Sequence, residues 1–214
     1  MPAVARLALL VACTSACLLA APAAQALDPA LEARITAMGR IGSAGGGQYS
    51  PDGSQIAYIS SLGGIPQVWR IPAGGGYPQA VTSGPDAASA VSWSPDGRIA
   101  YAVAPGGGYN AALLLTSVDG TGTIAMDDDG DADTFAGEFS RDGRYVFGSN
   151  QRDPATRDIW IWDPRTGKAH NAIELEKLGV AADTLGDKVL VLRLVTRGDM
   201  NLLLDDLATG ESVL

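Results

Sequence analysis

The chain is poor in the residues that carry most enzyme chemistry. It has two cysteines, Cys13 and Cys17, and one histidine, His170. Both cysteines fall in a segment that reads as a removable export signal, so the mature part has none. That excludes disulfides, redox pairs, cysteine nucleophiles and His/Cys zinc sites. Aromatic residues make up 6% and charged residues 18%. Positive charge is in deficit: 15 Lys and Arg against 24 Asp and Glu give a net charge of −9. A surface this acidic argues against nucleic acid or anionic lipid as the main partner. The longest apolar run, Leu7 to Ala21, is about 15 residues, short of the ~20 that a spanning helix needs. No stable membrane insertion is expected. Abundant instead are Gly (27) and Pro (12), within a chain that is 46% hydrophobic. That is too apolar for a disordered chain and sufficient for one domain with a sizeable core.

Met1 to Ala26 has the layout of a signal peptide: Arg6, the apolar run, then Ala24-Gln25-Ala26 as a small-x-small cleavage site. The expected location is periplasmic or secreted. Leu10-Val11-Ala12-Cys13 also resembles a lipoprotein box, which leaves lipidation of Cys13 as the alternative. Asp28-Pro29 then starts a short lead-in helix, with Asp28 capping and Pro29 in the first turn. Leu31, Ile35 and Met38 share one face, and Gly39 ends the helix.

A repeat governs the remainder. Ser50-Pro51-Asp52-Gly53, Ser94-Pro95-Asp96-Gly97 and Ser140-Arg141-Asp142-Gly143 recur about every 45 residues. Each is followed by a β-rich run and preceded by an aromatic, Tyr49, Trp93 or Phe139, which belongs to the first strand of the hairpin and is expected to pack against neighbouring sheets. A weaker fourth copy is Gly186-Asp187-Lys188-Val189. Pro fixes φ, Asp bonds local amides and Gly accepts positive φ, so each copy predicts a hairpin turn. A second hairpin follows in every repeat. Val68–Ile71 turns through Gly74–Gly76 to Gln79–Val81, and Leu113–Leu115 through Asp119–Gly122 to Ile124–Met126. Ile159–Trp162 turns through Asp163–Gly167 to Lys168-Ala169, and Leu202–Leu204 through Asp206–Gly210 to Glu211–Val213.

Four strands per repeat predict an all-β β-propeller of four-stranded antiparallel blades, at about 40–84, 85–130, 131–175 and 176–214. An irregular β-sandwich is the alternative. The last outer strand has barely begun at Leu214, and no segment is available to close a ring. This suggests a truncated chain, or else an open arc with an exposed edge.

The Ser-Pro-Asp-Gly repeats, their preceding aromatics and the Asp-x-x-Thr-Gly outer turns resemble two related groups. One is the TolB-like periplasmic propellers. The other is the propeller domain of exported prolyl oligopeptidase-family serine peptidases, of dipeptidyl- and acylaminoacyl-peptidase-like type. The signal, the helix and repeats starting directly after Gly39 are more similar to the second. There the propeller precedes an α/β-hydrolase domain and restricts access to its active site. The resemblance therefore implies a non-catalytic portion that gates or positions peptide substrate for a hydrolase domain missing from this chain. Its alternative is a stand-alone propeller that binds another periplasmic protein.

No catalytic, cofactor-binding or metal-binding residue carries over from either group. The sequence has no Gly-x-Ser-x-Gly nucleophile elbow and no adjacent Glu-Glu pair. His170, beside an outer turn, reads as a solvated strand residue. Asp127-Asp128-Asp129-Gly130-Asp131-Ala132-Asp133 reads as a solvated acidic connection between blades, with a calcium loop as the alternative. The triplets Gly45–Gly47, Gly74–Gly76 and Gly106–Gly108 read as turn and loop glycines, since β-like sequence and not a helix follows each. Trp69, Trp93, Trp160 and Trp162 read as core between blades. Tyr109, Asn110, Gln151, Arg152, Asp153 and Arg157 fall in loops between second and third strands, which share one face of a propeller. They are the positional candidates for contact with a partner.

Overall fold

The repeat turns close as their composition dictates. In the first, Gly53 N–H donates to Ser50 O (2.8 Å), Ser50 N–H to Gln55 O (2.8 Å) and Ser50 Oγ to Asp52 Oδ1 (2.6 Å). Ser94/Asp96/Gly97 and Ser140/Asp142/Gly143 make the equivalent bonds, except that the serine N–H donates four residues on, to Arg98 O and Arg144 O, where the first turn is one residue longer. The three glycines sit at φ of 70°, 83° and 87°, where a Cβ is unfavourable. The serine and the Ser54 hydroxyl and amide hold the Asp52 carboxyl down at about 2.

The computed structural model describes residues 28–39, 42–127 and 129–214. The signal segment, with Cys13, lies outside them. The lead-in helix α1 spans Pro29–Gly39. Asp28 caps it, accepting the Ala30 N–H at its Oδ1 (2.8 Å). Leu31 and Ile35 are about half exposed.

Sixteen strands follow among the described residues. They are β1 (Ala44–Tyr49), β2 (Gln55–Ser60), β3 (Gln67–Pro72), β4 (Gln79–Ala80), β5 (Ala88–Trp93), β6 (Ile99–Val103), β7 (Ala112–Thr116) and β8 (Ile124–Asp127). Then come β9 (Thr134–Phe139), β10 (Tyr145–Ser149), β11 (Asp158–Asp163), β12 (Lys168–Ile173), β13 (Gly179–Leu185), β14 (Lys188–Thr196), β15 (Asp199–Asp206) and β16 (Ser212–Val213). They form four sheets, each an antiparallel meander of four consecutive strands, here blades 1 to 4. The all-β propeller expected from the repeats is the architecture found, as an open set of four blades. The weak fourth repeat is a blade as well, its first turn at Gly186-Asp187.

The core lies between blades. Ala57 and Val68 of blade 1 meet Val91, Trp93 and Ile99 of blade 2. Leu113 and Leu115 of blade 2 meet Tyr145, Phe147 and Trp162 of blade 3. Val146, Ile159 and Ile161 of blade 3 meet Val189 and Val191 of blade 4. Polar bonds cross the same junctions. Trp93 Nε1 donates to Gln48 O (3.0 Å), and Arg144 Nη2 to Asp187 Oδ1 (2.8 Å).

Three expectations need correction. Tyr49, expected to pack like the other aromatics before the turns, is 66% exposed, because it lies on the side of blade 1 away from blade 2. Trp69 is only part-buried on that same side, so it is not core between two blades of this chain. Gly45–Gly47 lie inside β1, not in a turn. The β1–β2 register slips between Gly45 and Gln48, and Gly46 takes up the bulge at φ 65°.

Candidate binding face

The loops between second and third strands share a face with the connections from one blade to the next. On blades 2 and 3 they are cross-braced. Asn110 Nδ2 donates to Gly130 O (2.8 Å), tying the β6–β7 loop to the acidic connection. Gln151 Nε2 donates to Asp127 Oδ1 (2.5 Å), tying the β10–β11 loop to the same connection. Asp133 N–H donates to Asn150 Oδ1 (2.6 Å), and Arg157 Nη2 pairs with Asp133 Oδ2 (3.3 Å). The Arg157 guanidinium also lies over the Phe135 ring, 3.2 Å from its centroid. Tyr109 stands out of this braced platform, 90% exposed.

Asp127 corrects the solvated reading of the acidic run. It is buried, and its second oxygen accepts from Thr134 Oγ1 at 2.7 Å. Burial pushes its carboxyl above the ordinary value, and the bonds from Thr134 and Gln151 only partly oppose this. Because the folded value is raised, ionisation of Asp127 costs stability as pH rises through the ordinary carboxylate range, about 4. Asp127→Asn is expected to remove that cost. Its melting temperature relative to wild type should therefore climb between pH 3.5 and 6, and a flat difference would contradict the assignment. Both Asp127 oxygens are taken by side-chain donors, which leaves this carboxylate occupied. Among the described residues no group of three or more acidic, His or Cys side chains is placed to hold a metal, and Asp128 lies outside them.

Arg152 does not point into this network. It clamps Asp158 through Nε (2.6 Å) and Nη2 (2.9 Å), while Asn171 Nδ2 and Leu175 N–H fill the same carboxylate at 3.0 and 2.8 Å. Asp158 is fully buried. Sequence reasoning missed it: its only signal was an acid opening the apolar strand Asp158-Ile159-Trp160-Ile161-Trp162. Asp153 caps its own turn through Ala155 N–H (2.8 Å). His170 lies exposed on outer strand β12. On the opposite face, the first two Ser-Pro-Asp-Gly turns flank a groove of about 280 Å³ lined by Asp52, Trp93, Asp96 and Val118.

No protein-family model matches the chain, and no curated protein matches it by sequence. Solved structures match it by shape. TolB from Acinetobacter baumannii superposes with a TM-score of 0.63 at 20% identity, over 79% of this chain and 42% of that one. A puromycin-hydrolyzing peptidase of Mycobacterium tuberculosis gives 0.63 at 15% identity, over 80% and 28%. Dipeptidyl peptidase 4 of Porphyromonas gingivalis gives 0.63 at 12%, over 80% and 25%. The fold is one shared by TolB and by prolyl oligopeptidase-family peptidases. The chain thus spans less than half the length of each of these three proteins. Both groups suspected from the motifs are structural neighbours. Among the described residues no helix is long and apolar enough to cross a membrane.

Proposed function

We propose that this chain is an exported, non-catalytic propeller module that gates or positions a peptide for a hydrolase domain, as in prolyl oligopeptidase-like serine peptidases. The observation that carries the reading is the braced loop face of blades 2 and 3. It offers rigidly held polar groups and a projecting Tyr109 on a fold shared with such peptidases. Export rests on the Met1–Ala26 pattern, which points to the periplasm or the medium. The partners are then the hydrolase domain and its peptide substrate. The chain's own residues hold no nucleophile elbow, and its single histidine stands on an outer strand away from this face.

Purified chain is expected to hydrolyse no peptide ester. Turnover abolished by a serine-directed inhibitor would overturn the reading. The coding DNA beyond codon 214 separates it from its rival. A Gly-x-Ser-x-Gly followed by Asp and His supports a peptidase. Further blades and a stop without them support a stand-alone TolB-like module that binds a periplasmic protein. That second reading is favoured by coverage, since the chain spans a larger share of TolB than of the peptidases.

A further inference from the structure

Strand register makes Gln55, Arg98 and Arg144 one position of the repeat. Each comes directly before the residue that pairs with the aromatic preceding the turn: Ile56 with Tyr49, Ile99 with Trp93, and Tyr145 with Phe139. In blades 2 and 3 the position is arginine, and it serves the aspartate of its own turn. Arg98 Nε donates to Asp96 Oδ2 (2.9 Å), and Arg144 Nε to Asp142 Oδ2 (2.7 Å). Arg144 also crosses to the next blade, where Nη2 donates to Gly186 O (2.9 Å) and Asp187 Oδ1 (2.8 Å). One guanidinium thus bridges the turns of blades 3 and 4. Between the turns of blades 2 and 3, Arg98 and Arg141 both line the groove.

Blade 1 departs from this pattern. Gln55 carries no charge, and its Oε1 accepts from Arg70 Nη1 (2.7 Å). Asp52 accepts from neutral groups: Ser50 Oγ (2.6 Å), Ser54 N–H (3.1 Å) and Ser54 Oγ (2.8 Å). Among the described residues it has no arginine or lysine partner, unlike Asp96 and Asp142. The groove of about 280 Å³ beside it, between blades 1 and 2, is lined by Asp52, Gln55, Trp93, Pro95, Asp96 and Val118, with no basic side chain among its lining residues. Asp96 keeps Arg98, so Asp52 supplies the uncompensated charge. Trp93, Pro95 and Val118 supply apolar walls, which suit the methylene stem and flat head of an arginine. Both walls belong to consecutive blades of this chain, so further blades at either end of the series would leave the groove unchanged.

We propose that this groove binds an arginine side chain of a partner polypeptide. Its guanidinium takes on Asp52 the place that Arg98 and Arg144 take on Asp96 and Asp142. Two observations select the occupant: the charge of the groove, and the arginines that the chain itself supplies at the two equivalent positions. A guanidinium can engage a carboxylate through two parallel bonds, which an ammonium cannot. The groove lies on the face opposite the braced loops, so it is independent of the peptide contact proposed there.

Amide NMR on the isotope-labelled chain tests the site. The probe is a capped alanine heptapeptide with a central arginine, and its control carries citrulline, which has the same shape without the charge. The arginine peptide should give saturable shifts at the Gly53 and Gly97 amides and at the Trp93 indole N–H. The citrulline peptide should bind about fivefold more weakly, the effect of an exposed ion pair near the top of its range. Asp52→Asn should weaken the arginine peptide by the same factor, and its amide oxygen still accepts from Ser50 and Ser54, so the turn is kept. Gln55→Arg restores the repeat's arginine in cis and should remove the shifts. No saturable shift up to about 10 mM peptide would overturn the proposal. So would equal binding of the citrulline peptide, unchanged binding by Asp52→Asn, or a Gln55→Arg chain that binds like wild type.

Discussion

Gly137→Ala is expected to cost at least about 3 kcal/mol, near the upper end for point changes. Gly137 sits in β9 where the pairing with β10 slips: Glu138 stands opposite Val146, and Phe135 opposite Gly148. A Cβ at Gly137 would run into the Val146 carbonyl oxygen. It would also lie 2.7 Å from the Val146 carbonyl carbon and 2.9 Å from Phe147 Cα. These are backbone atoms of a central strand, so no side chain can swing aside. Relief requires β9 to lift off β10. That breaks the bond from Gly137 N–H to Tyr145 Oη (2.9 Å) and opens the packing of Tyr145 on Phe139, whose rings are 4.7 Å apart. Gly45→Ala is the matched control, with nothing within 4 Å of its Cβ and an ordinary φ. Denaturant midpoints read the difference, and equal midpoints for the two variants would show that the bulge does not fix this pairing.

The second large effect is at Asp158. Asp158→Ala should cost about 3 kcal/mol, the lower end for breaking a buried ion pair, because Arg152 is one-third exposed and can rehydrate. The remaining loss comes from the Leu175 N–H and the Asn171 amide, which lose their shared acceptor. Burial alone would raise this carboxyl. The bonds from Arg152, Leu175 and Asn171 outweigh it and hold the group below its ordinary value. A lowered folded value gives stability that is complete above the ordinary carboxylate range, about 4, and is lost as pH falls through the folded value. The gap between wild type and Asp158→Ala should be constant from pH 6 to 8 and narrow in acid. A gap that widens in acid would contradict the pairing.

Local chemistry was legible in the sequence, and long-range placement was not. Ser-Pro-Asp-Gly encodes its own turn, because every bond it makes lies within about five residues. The outer hairpins at Asp163–Gly167 and Asp206–Gly210 were readable for the same reason. Tyr49 and Trp69 were placed on the correct strands, but strand periodicity says which side a residue faces and not whether a neighbour stands there. Asp127 looked solvated because its run is acidic. Its partner Gln151 comes from the next blade, and no local pattern announces that contact. Asp158 was missed likewise, since Asn171 and Leu175 reach it from the far end of a hairpin.

Each internal core cluster joins blades that are consecutive along the chain. None of these three junctions needs distant parts of the polypeptide to find one another, and the entropy of loop closure for them stays small for a β-fold. Assembly can begin at the aromatic seam of blades 2 and 3 and spread outward in both directions. Among the described residues the pair of blades 2 and 3 is packed from both sides, so protection is expected to be highest there.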